Sequence, residues 1–302
     1  METKITQKKQ ATNLLKAGYE VTVWNRTASA CEPLVANLGA KAAKSPAEAV
    51  AAADVTIAML SDPAAAVAVA ELAAPGLSKS GGGRYIDAST VDAETARKVS
   101  RIVKGAGEGA AGFLEAPVSG SKGPAIAGQL IFLASGDAAL SAFAAPLLDV
   151  MGKKTFYLGA EVGLGAKMKL AVNALMGTMM ASLAEQLSLA AAAGLDAADL
   201  LDVVSLGAVA APMFALKGPA MAEAVSARKE GKEPLASRFP PAFPLKHQRK
   251  DLRLALELAA ETGTPLPLTE AACELFAEAQ DGLALGDADF AAVVEAVASK
   301  MK

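Results

Sequence analysis

The first half of the chain alternates short apolar runs with alanine-rich stretches. Glu20–Trp24 reads EVTVW, and Asp54–Leu60 (DVTIAML) is apolar almost throughout, as expected for a strand covered on both faces. Strands alternating with helices of this length predict βαβ units and a parallel sheet. The predicted strands are Glu20–Trp24, Asp54–Leu60, Arg84–Ala88, Gly112–Val118, Gln129–Ala134 and Thr155–Leu158, with helices at Ala28–Leu38, Pro63–Ala73 and Ala93–Lys104.

Helical patterns replace the strands after Gly159. The stretch from Ala166 to Ala193 has no proline and predicts one helix about 40 Å long. Glu223–Arg238 is charged and weakly apolar, and we expect it to be an exposed, partly disordered loop. The predicted fold is an α/β Rossmann-type dinucleotide-binding domain, residues 1–158, followed by an all-α domain, residues 159–302. Its other predicted helices are Ala197–Leu206, Pro244–Glu261, Leu268–Asp281 and Asp287–Lys300.

Composition excludes several classes of protein. Hydrophobic residues make up 53% of the chain but aromatic residues only 4%, which favours packed helices over a β-sandwich. The net charge of −3 argues against nucleic acid or a membrane surface as a partner, and the apolar runs are too short for a bilayer span. Cys31 and Cys273 form no metal-ligand or disulfide pattern, so we expect no metal and a reducing, cytoplasmic location. The polar segment Met1–Gln10 resembles neither a secretory signal nor an organelle transit peptide.

The segment after the first predicted strand concerns the choice of cofactor. In a dinucleotide-binding sheet this point faces the adenosine ribose, where an acidic residue would bind the 2′-hydroxyl of NAD. The chain has Asn25, Arg26 and Thr27 there instead, and a guanidinium suits a 2′-phosphate. Taken alone, Arg26 would be a solvated side chain at a strand end. Together with the motifs below, it favours NADP(H).

Two polar segments follow later predicted strands. In Asp87-Ala88-Ser89-Thr90, the residues Ser89 and Thr90, or Asp92 just beyond, could each cap the next helix, and the same loop could also contact a ligand. In the segment APVSGSK, Ser119 beside Gly120 leaves backbone N–H groups open to an anion, although such a sequence by itself is more often a turn.

The segment Gly163–Asn173 (GLGAKMKLAVN) has the most specific chemistry. Lys169 and Asn173 are four residues apart and share one helix face. When hydride reaches a carbonyl carbon, the oxygen becomes an alkoxide that needs a proton, and a positioned ammonium can stabilise that charge and donate the proton. Asn173 could hold the same end of the substrate through its amide. An arbitrary lysine on an amphipathic helix is only solvated, but the flanking glycines and Asn173 favour catalysis here.

These four segments stand in the order found in β-hydroxyacid dehydrogenases, and the chain resembles that family from about Leu14 onward. The resemblance implies that Lys169, not Lys167, is the catalytic lysine. It also implies that Ser89 and Thr90 lie between the nicotinamide ribose and the substrate. By the same resemblance, the loop of Ser119 and Gly120 holds the substrate carboxylate.

The segment Phe243–Leu252 (FPLKHQRKDL) is similar to a helix of that family that packs on the cofactor. The resemblance implies that Phe243 covers the substrate, that Lys250 reaches the nicotinamide end and that Asp251 orients polar groups. His247 is the only histidine. Because the sequence offers it no catalytic partner, we expect a partly exposed side chain without a catalytic role.

Within the family, the chain is most similar to glyoxylate/succinic semialdehyde reductases. That resemblance implies NADPH-dependent reduction of small carboxylate-bearing aldehydes, and it includes Leu60 and Ser61 among the cofactor-binding residues. The alternatives are a 3-hydroxyisobutyrate or 4-hydroxybutyrate dehydrogenase and a non-catalytic scaffold with a dehydrogenase fold. Family members also imply a homo-oligomer. The matching stretches are Trp24–Thr27, Thr56–Pro63, Tyr85–Thr95 and Pro240–Gln248.

The chain departs from the family pattern at its beginning. The family begins with an apolar strand and a G-x-G-x-x-G loop, but Met1–Gln10 (METKITQKKQ) has no glycine and one interior apolar residue, Ile5. It can form neither a buried strand nor a phosphate-binding turn. We expect an alternative start or an imperfect gene prediction to explain this. For the chain as written, we expect an unfilled position in the sheet, weak cofactor binding and poor stability.

Overall fold

The computed structural model of the chain describes residues 2–79, 83–106 and 111–301. The chain divides into two compact units, Met1–Leu170 and Ala171–Lys302. The division falls inside a helix of 29 residues, α8 (Leu164–Ala192), and the predicted domain boundary at residues 158/159 lies shortly before that helix begins. Beyond the labels used below, the chain has 3₁₀ turns at Ala28–Ala30, Ala236–Arg238 and Phe290–Val293.

Strands and helices alternate in the first unit, and each predicted strand is present. Its strands are β1 (Thr22–Val23), β2 (Lys41–Ala42), β3 (Val55–Ala58), β4 (Arg84–Asp87), β5 (Gly112–Glu115), β6 (Val118–Ser119), β7 (Leu130–Gly136) and β8 (Gly152–Tyr157). Its helices are α1 (Glu2–Lys16), α2 (Glu32–Leu38), α3 (Pro46–Ala51), α4 (Pro63–Lys79), α5 (Ala93–Ala106), α6 (Lys122–Ile126) and α7 (Ala138–Met151). Strand β2 and helices α3, α6 and α7 were not predicted from the sequence.

The larger sheet is mixed. Strands β3, β4 and β5 are parallel, but β7 is antiparallel to both β5 and β6 and parallel to β8. The prediction of a parallel sheet is therefore correct for β3–β5 and wrong for β7. The physical reason lies in the segment between β5 and β7, which contains only β6 and the five-residue helix α6. No helix there is long enough to carry the chain back for a parallel strand.

The described strands of the first unit form two separate sheets. Among the described residues, β1 and β2 form a parallel two-stranded sheet of their own, and β3 begins the six-stranded sheet. Val55 and Ile57 pack half-buried against the cluster that contains Ile86, and Ala58 is buried in the cluster that contains Tyr85, so β3 is covered on both faces as expected. As a strand at the sheet edge, β3 has a neighbour on one side only. Helix α1 begins at Glu2, which confirms for residues 2–10 that this segment forms neither a strand nor a glycine turn.

The two faces of the larger sheet contribute to separate apolar clusters. Along β4, Tyr85 faces the cluster formed with α3, α4 and α5, and Ile86 faces the cluster formed with α1, α6 and α7. Phe113 and Leu114 alternate in the same way along β5. The period of two along each strand therefore produces a three-layer unit with helices on both faces.

The second unit is helical and confirms the predicted all-α domain. Glu223–Arg238 was predicted as a loop; this is wrong for residues 223–229, which lie in helix α10 with Ala224 and Val225 buried, whereas residues 230–235 form a mostly exposed loop. Apolar residues three and four positions apart lie among the charged residues of this segment, and they form the helix face that is buried. Besides the continuation of α8, the helices are α9 (Ala197–Leu206), α10 (Pro212–Lys229), α11 (Leu245–Thr262), α12 (Pro267–Ala277) and α13 (Val294–Ala298).

Candidate active site

The loop after β1 exposes a cationic side chain at the carboxyl end of the strand. The Thr27 N–H donates to Asn25 Oδ1 at 3.0 Å, which folds the loop locally. Arg26 and Thr27 are exposed and Asn25 is half-buried. The guanidinium is therefore accessible to a phosphate group.

Ser89 connects the ends of two neighbouring strands. The Leu60 N–H donates to Ser89 Oγ at 2.8 Å, and the Ser89 N–H donates to Asp87 Oδ1 at 2.9 Å. Ser89 is buried and Thr90 is half-buried. Of the three residues that could cap α5, the structure uses Asp92, whose Oδ1 accepts from the Thr95 N–H at 2.7 Å. Ser89 does not cap α5, and its hydrogen bonds connect the segments that follow β3 and β4.

Two carboxylates near these strand ends were not predicted as part of the site. Asp87 is buried, and burial raises the pKa of its carboxyl, against hydrogen bonds from Ser89 that lower it. Asp62 accepts from Ser61 Oγ at 2.6 Å and from the Ala65 N–H at 2.8 Å, so it caps α4 and holds the Ser61 hydroxyl. Asp87 ends one apolar run and Asp62 follows another. This position in the sequence could have identified both as candidate site residues.

The segment predicted to bind a carboxylate lies at β6. Ser119 pairs with Ile131 of β7 and is half-buried, and Gly120 next to it is exposed. The strand pairing holds the loop that follows, Gly120–Ser121, next to the sheet. The structure therefore gives both predicted residues an accessible position on one strand end.

Lys169 and Asn173 lie on helix α8 within its first three turns. A spacing of four residues places them one turn apart on the same face of this continuous helix. Lys169 is 7% exposed and Asn173 is 1% exposed. The buried position of Lys169 argues against a lysine that is merely solvated, because lysine is almost never fully buried without a specific interaction.

In the second unit, Asn173 is joined to helix α11. Its Nδ2 donates to Asp251 Oδ2 at 2.6 Å, and Gln248 Nε2 donates to the Asn173 carbonyl oxygen at 2.8 Å. The Lys250 ammonium lies 2.8 Å from Asp251 Oδ1. The structure thus brings together three predicted site residues, Asn173, Lys250 and Asp251, and adds Gln248, which the sequence did not identify.

Two aromatic side chains of the predicted segment have defined surroundings. The Phe243 ring packs against Phe290 with its centroid 5.6 Å away and an interplanar angle of 66°. His247 is half-buried, and burial lowers its pKa to about 4, so the imidazole is neutral near pH 7. Its buried Nε2 has no hydrogen-bond partner among the described residues.

The described parts of the chain hold no group of three or more His, Cys, Asp or Glu side chains arranged to bind a metal ion. Within those same ranges, no helix combines the length and apolar character needed to cross a membrane.

The fit of an NADP-type dinucleotide differs between its two ends. At the adenosine end, exposed Arg26 and Thr27 beside Asn25 provide donors for a 2′-phosphate. At the pyrophosphate end, helix α1 runs from Glu2 with no glycine before Gly18. The close approach of backbone N–H groups to phosphate that a glycine loop allows is therefore missing.

Comparison with known proteins shows the family of the chain. Residues 8–159 match the family model described as the NAD binding domain of 6-phosphogluconate dehydrogenase. Residues 163–297 match the one described as NAD-binding of NADP-dependent 3-hydroxyisobutyrate dehydrogenase.

Curated relatives match over nearly the whole chain. Glyoxylate/succinic semialdehyde reductase 1 of Arabidopsis thaliana is 50% identical over 294 residues, covering 97% of this chain and 95% of that protein. The chloroplastic reductase 2 of the same plant is 52% identical over 290 residues, covering 95% and 75%. Cytokine-like nuclear factor N-PAC of Homo sapiens is 38% identical over 291 residues, and the match covers 48% of that longer protein.

Solved structures agree with this assignment. The 3-hydroxyisobutyrate dehydrogenase of Mycobacterium tuberculosis is 28% identical with a TM-score of 0.78, covering 97% of this chain and 96% of that one. That of Salmonella typhimurium is 25% identical with a TM-score of 0.81, covering 96% of each chain. The predicted family, fold class and NADP cofactor are confirmed. The chain belongs to the 3-hydroxyisobutyrate (β-hydroxyacid) dehydrogenase family and is an NADP-dependent oxidoreductase acting on CH–OH or aldehyde groups.

Proposed function

We propose that the protein reduces small carboxylate-bearing aldehydes, such as glyoxylate and succinic semialdehyde, with Lys169 as the proton donor. One observation carries this proposal: Lys169 is buried on helix α8 one turn before Asn173, whose amide is held by Asp251. The names of the Arabidopsis thaliana relatives, at 50% and 52% identity, support the substrate class.

The proposed chemistry requires a proton at the carbonyl oxygen. Bound NADPH supplies the hydride. The Lys169 ammonium stabilises the negative charge that develops on the oxygen and then donates its proton. This stabilisation is stronger in a buried position than in water, because the effective dielectric constant is lower.

Asn173 and Asp251 have orienting roles in this proposal. Because Asn173 Nδ2 donates to Asp251, the direction of the amide is set. Lys250 neutralises the Asp251 carboxylate and, in the proposal, reaches the nicotinamide end of the cofactor. Phe243, which packs edge-on against Phe290, covers the substrate in this proposal.

The remaining residues bind the two charged ligands in the proposal. Ser89, Ser119 and Gly120 contact the substrate, with the carboxylate at the Ser119–Gly120 loop. The cofactor contacts are assigned to the residues Asn25, Arg26, Thr27, Leu60, Ser61, Thr90 and Lys250.

The test compares two lysines of the same helix. NADPH oxidation is measured with glyoxylate and with succinic semialdehyde for the unchanged chain, Lys169→Met and Lys167→Met. We expect Lys169→Met to lower kcat by about 1,000-fold, within the range for loss of a general acid. Half-buried Lys167 is the matched control, and its change should leave kcat within about twofold because no proton transfer depends on it. Equal rates for the two variants would remove Lys169 from the mechanism.

A second candidate is a non-catalytic protein with a dehydrogenase fold. It is favoured by the divided sheet and by helix α1 in place of the glycine loop. An apolar strand and a glycine loop grafted in front of Ala11 separate the two candidates. Turnover only after grafting would indicate a reductase limited by its N-terminal segment, and absence of turnover in both forms would favour the non-catalytic role.

We also propose a homo-oligomer in the cytoplasm. Large apolar side chains are exposed on the second unit, among them Leu175, Leu189, Val203 and Leu206. Such side chains are typical of surfaces that pack against another subunit. Sedimentation equilibrium of the purified chain measures the mass. A monomer at micromolar concentration would contradict the proposed homo-oligomer.

A further inference from the structure

We infer that Glu115 is a positioning residue for Lys169, because its buried carboxylate holds the first turn of helix α8. The inference rests on the proposed role of Lys169 as proton donor. Glu115 ends strand β5 and is 2% exposed.

The carboxylate of Glu115 accepts hydrogen bonds from the beginning of α8. Its Oε1 accepts from the N–H of Gly163 at 2.5 Å and of Gly165 at 3.0 Å, and its Oε2 accepts from the Ala166 N–H at 3.3 Å. The Ser135 hydroxyl of β7 donates to Oε1 as well. Two strands of the sheet thus hold the start of one helix.

These contacts act where a helix has unpaired donors. The first N–H groups of a helix have no partner within the helix, and a negative charge there also interacts favourably with the helix dipole. Ala166 lies three residues before Lys169, which is less than one turn. A shift of this turn therefore moves the lysine directly.

Gly165 is required for this arrangement. A Cβ atom at Gly165 would lie 2.4 Å from the Leu133 carbonyl oxygen and 3.2 Å from Glu115 Cδ. Any larger residue would push the helix away from the strand ends. The second glycine of the GLG segment is therefore explained by the approach of α8 to Glu115, independently of any phosphate.

Burying a carboxylate costs free energy, because the charged group loses its contact with water. Burial raises the pKa of Glu115, while the hydrogen bonds from Ser135 and the three backbone N–H groups lower it and compensate in part.

Helix α7 offers a comparison in the same unit. Asp137 caps it by accepting from the N–H of Ala139 at 2.8 Å and of Leu140 at 3.0 Å, but that helix carries no proposed catalytic side chain.

The experiment compares Glu115→Gln with Asp137→Ala, which removes the cap of α7. Steady-state kinetics give kcat and KM, and amide hydrogen exchange of the folded protein reports on residues 163–169. For Glu115→Gln we expect kcat to fall by at least about tenfold with KM within about twofold, since a displacement of one ångström can lower rates by 100-fold. Exchange at residues 163–169 should accelerate. Asp137→Ala should accelerate exchange at the start of α7 and leave kcat within about twofold.

The outcomes distinguish failure of the role inferred for Glu115 from failure of the role proposed for Lys169. If Lys169→Met abolishes turnover but Glu115→Gln matches the Asp137 control in kcat, the inference fails and the proposed function stands. If turnover does not depend on Lys169, the proposed function fails first. If the unchanged chain has no turnover, unaltered exchange at residues 163–169 in Glu115→Gln overturns the inference. If that variant does not fold, Ser135→Ala replaces it, with a decrease in kcat of about threefold expected from loss of one hydrogen bond.

Discussion

Asn173 donates a hydrogen bond of 2.6 Å to Asp251, and both side chains are buried. The bond joins helix α8 to helix α11 across 78 residues of sequence. It orients an amide that lies one turn from Lys169 on the same helix. A short bond between a buried amide and a buried carboxylate is expected to be strong, because the acceptor is charged.

We predict that Asp251→Asn lowers kcat/KM by about 10- to 100-fold, the equivalent of one hydrogen bond to a charged group. The new amide no longer selects the direction of the Asn173 amide, and the ion pair between Lys250 and Asp251 is lost. Steady-state kinetics on folded protein check this. The matched control is Asp287→Asn, because Asp287 pairs with Lys246 at the exposed surface and such pairs contribute little. Unchanged kcat/KM in Asp251→Asn would contradict the orienting role.

We predict weak NADPH binding by the chain as written. Helix α1 provides no glycine loop, and β1 and β2 form a sheet of their own, separate from the sheet that begins with β3. Calorimetric titration measures Kd. Replacement of Met1–Gln10 by an apolar strand and a G-x-G-x-x-G loop should tighten binding by at least about tenfold and raise Tm, since backbone N–H groups then reach the pyrophosphate. The control is the same graft with alanine in place of each loop glycine. Micromolar or tighter NADPH binding by the unmodified chain would disprove the prediction.

We predict that His247 makes the fold less stable in mild acid. Its pKa in the folded chain is about 4, below the ordinary value of 6.5, so the unfolded chain takes up a proton first as the pH falls. Its contribution to stability is therefore present above pH 6.5 and is lost as the pH falls towards 4. Between about pH 7.5 and about pH 5, this amounts to about 2 kcal/mol.

Urea unfolding at both pH values, for the unchanged chain and for His247→Asn, measures this loss. His247 is the only histidine, so the difference between the two proteins isolates its contribution. An identical decrease in both proteins would show that carboxylates, not His247, cause the acid sensitivity.

We predict that Glu295 is needed for the stability of the second unit. It is 0% exposed, with Arg238 Nη1 at 3.3 Å from Oε1 and Arg228 Nε at 3.9 Å from Oε2, and burial raises the pKa of its carboxyl. Glu295→Gln should lower the free energy of unfolding by about 3 kcal/mol because two arginines lose a buried partner. Chemical denaturation measures it.

The control for that experiment is Glu223, the exposed second partner of Arg238. Arg238 Nε lies 3.3 Å from Glu223 Oε1. Glu223→Gln should change the free energy of unfolding by less than about 1 kcal/mol. Similar decreases in the free energy of unfolding for both variants would mean that burial of the Glu295–arginine contacts does not increase stability.

Much of the fold was predictable because it depends on local patterns. The apolar runs at β3 and β4 predicted strands, and the long proline-free stretch predicted α8 to within two residues at its start. Helix α10 was missed because its buried face is made of small residues such as Ala224 among charged ones. Strand β7 was predicted, but its antiparallel direction depends on the length of the preceding connection.

The sequence alone determined that alternating strands and helices are followed by helices only, the family, and the placement of Lys169 and Asn173 on one helix face, because residues four apart lie on the same side of a helix. Only the tertiary structure decided that Glu115 holds the start of α8, that Asn173 meets Asp251, and that β1 and β2 form a sheet separate from β3–β8. The physical reason is separation along the chain. Periodicity specifies which side of an element is buried, whereas contacts between residues about 50 to 80 positions apart depend on how packed elements meet.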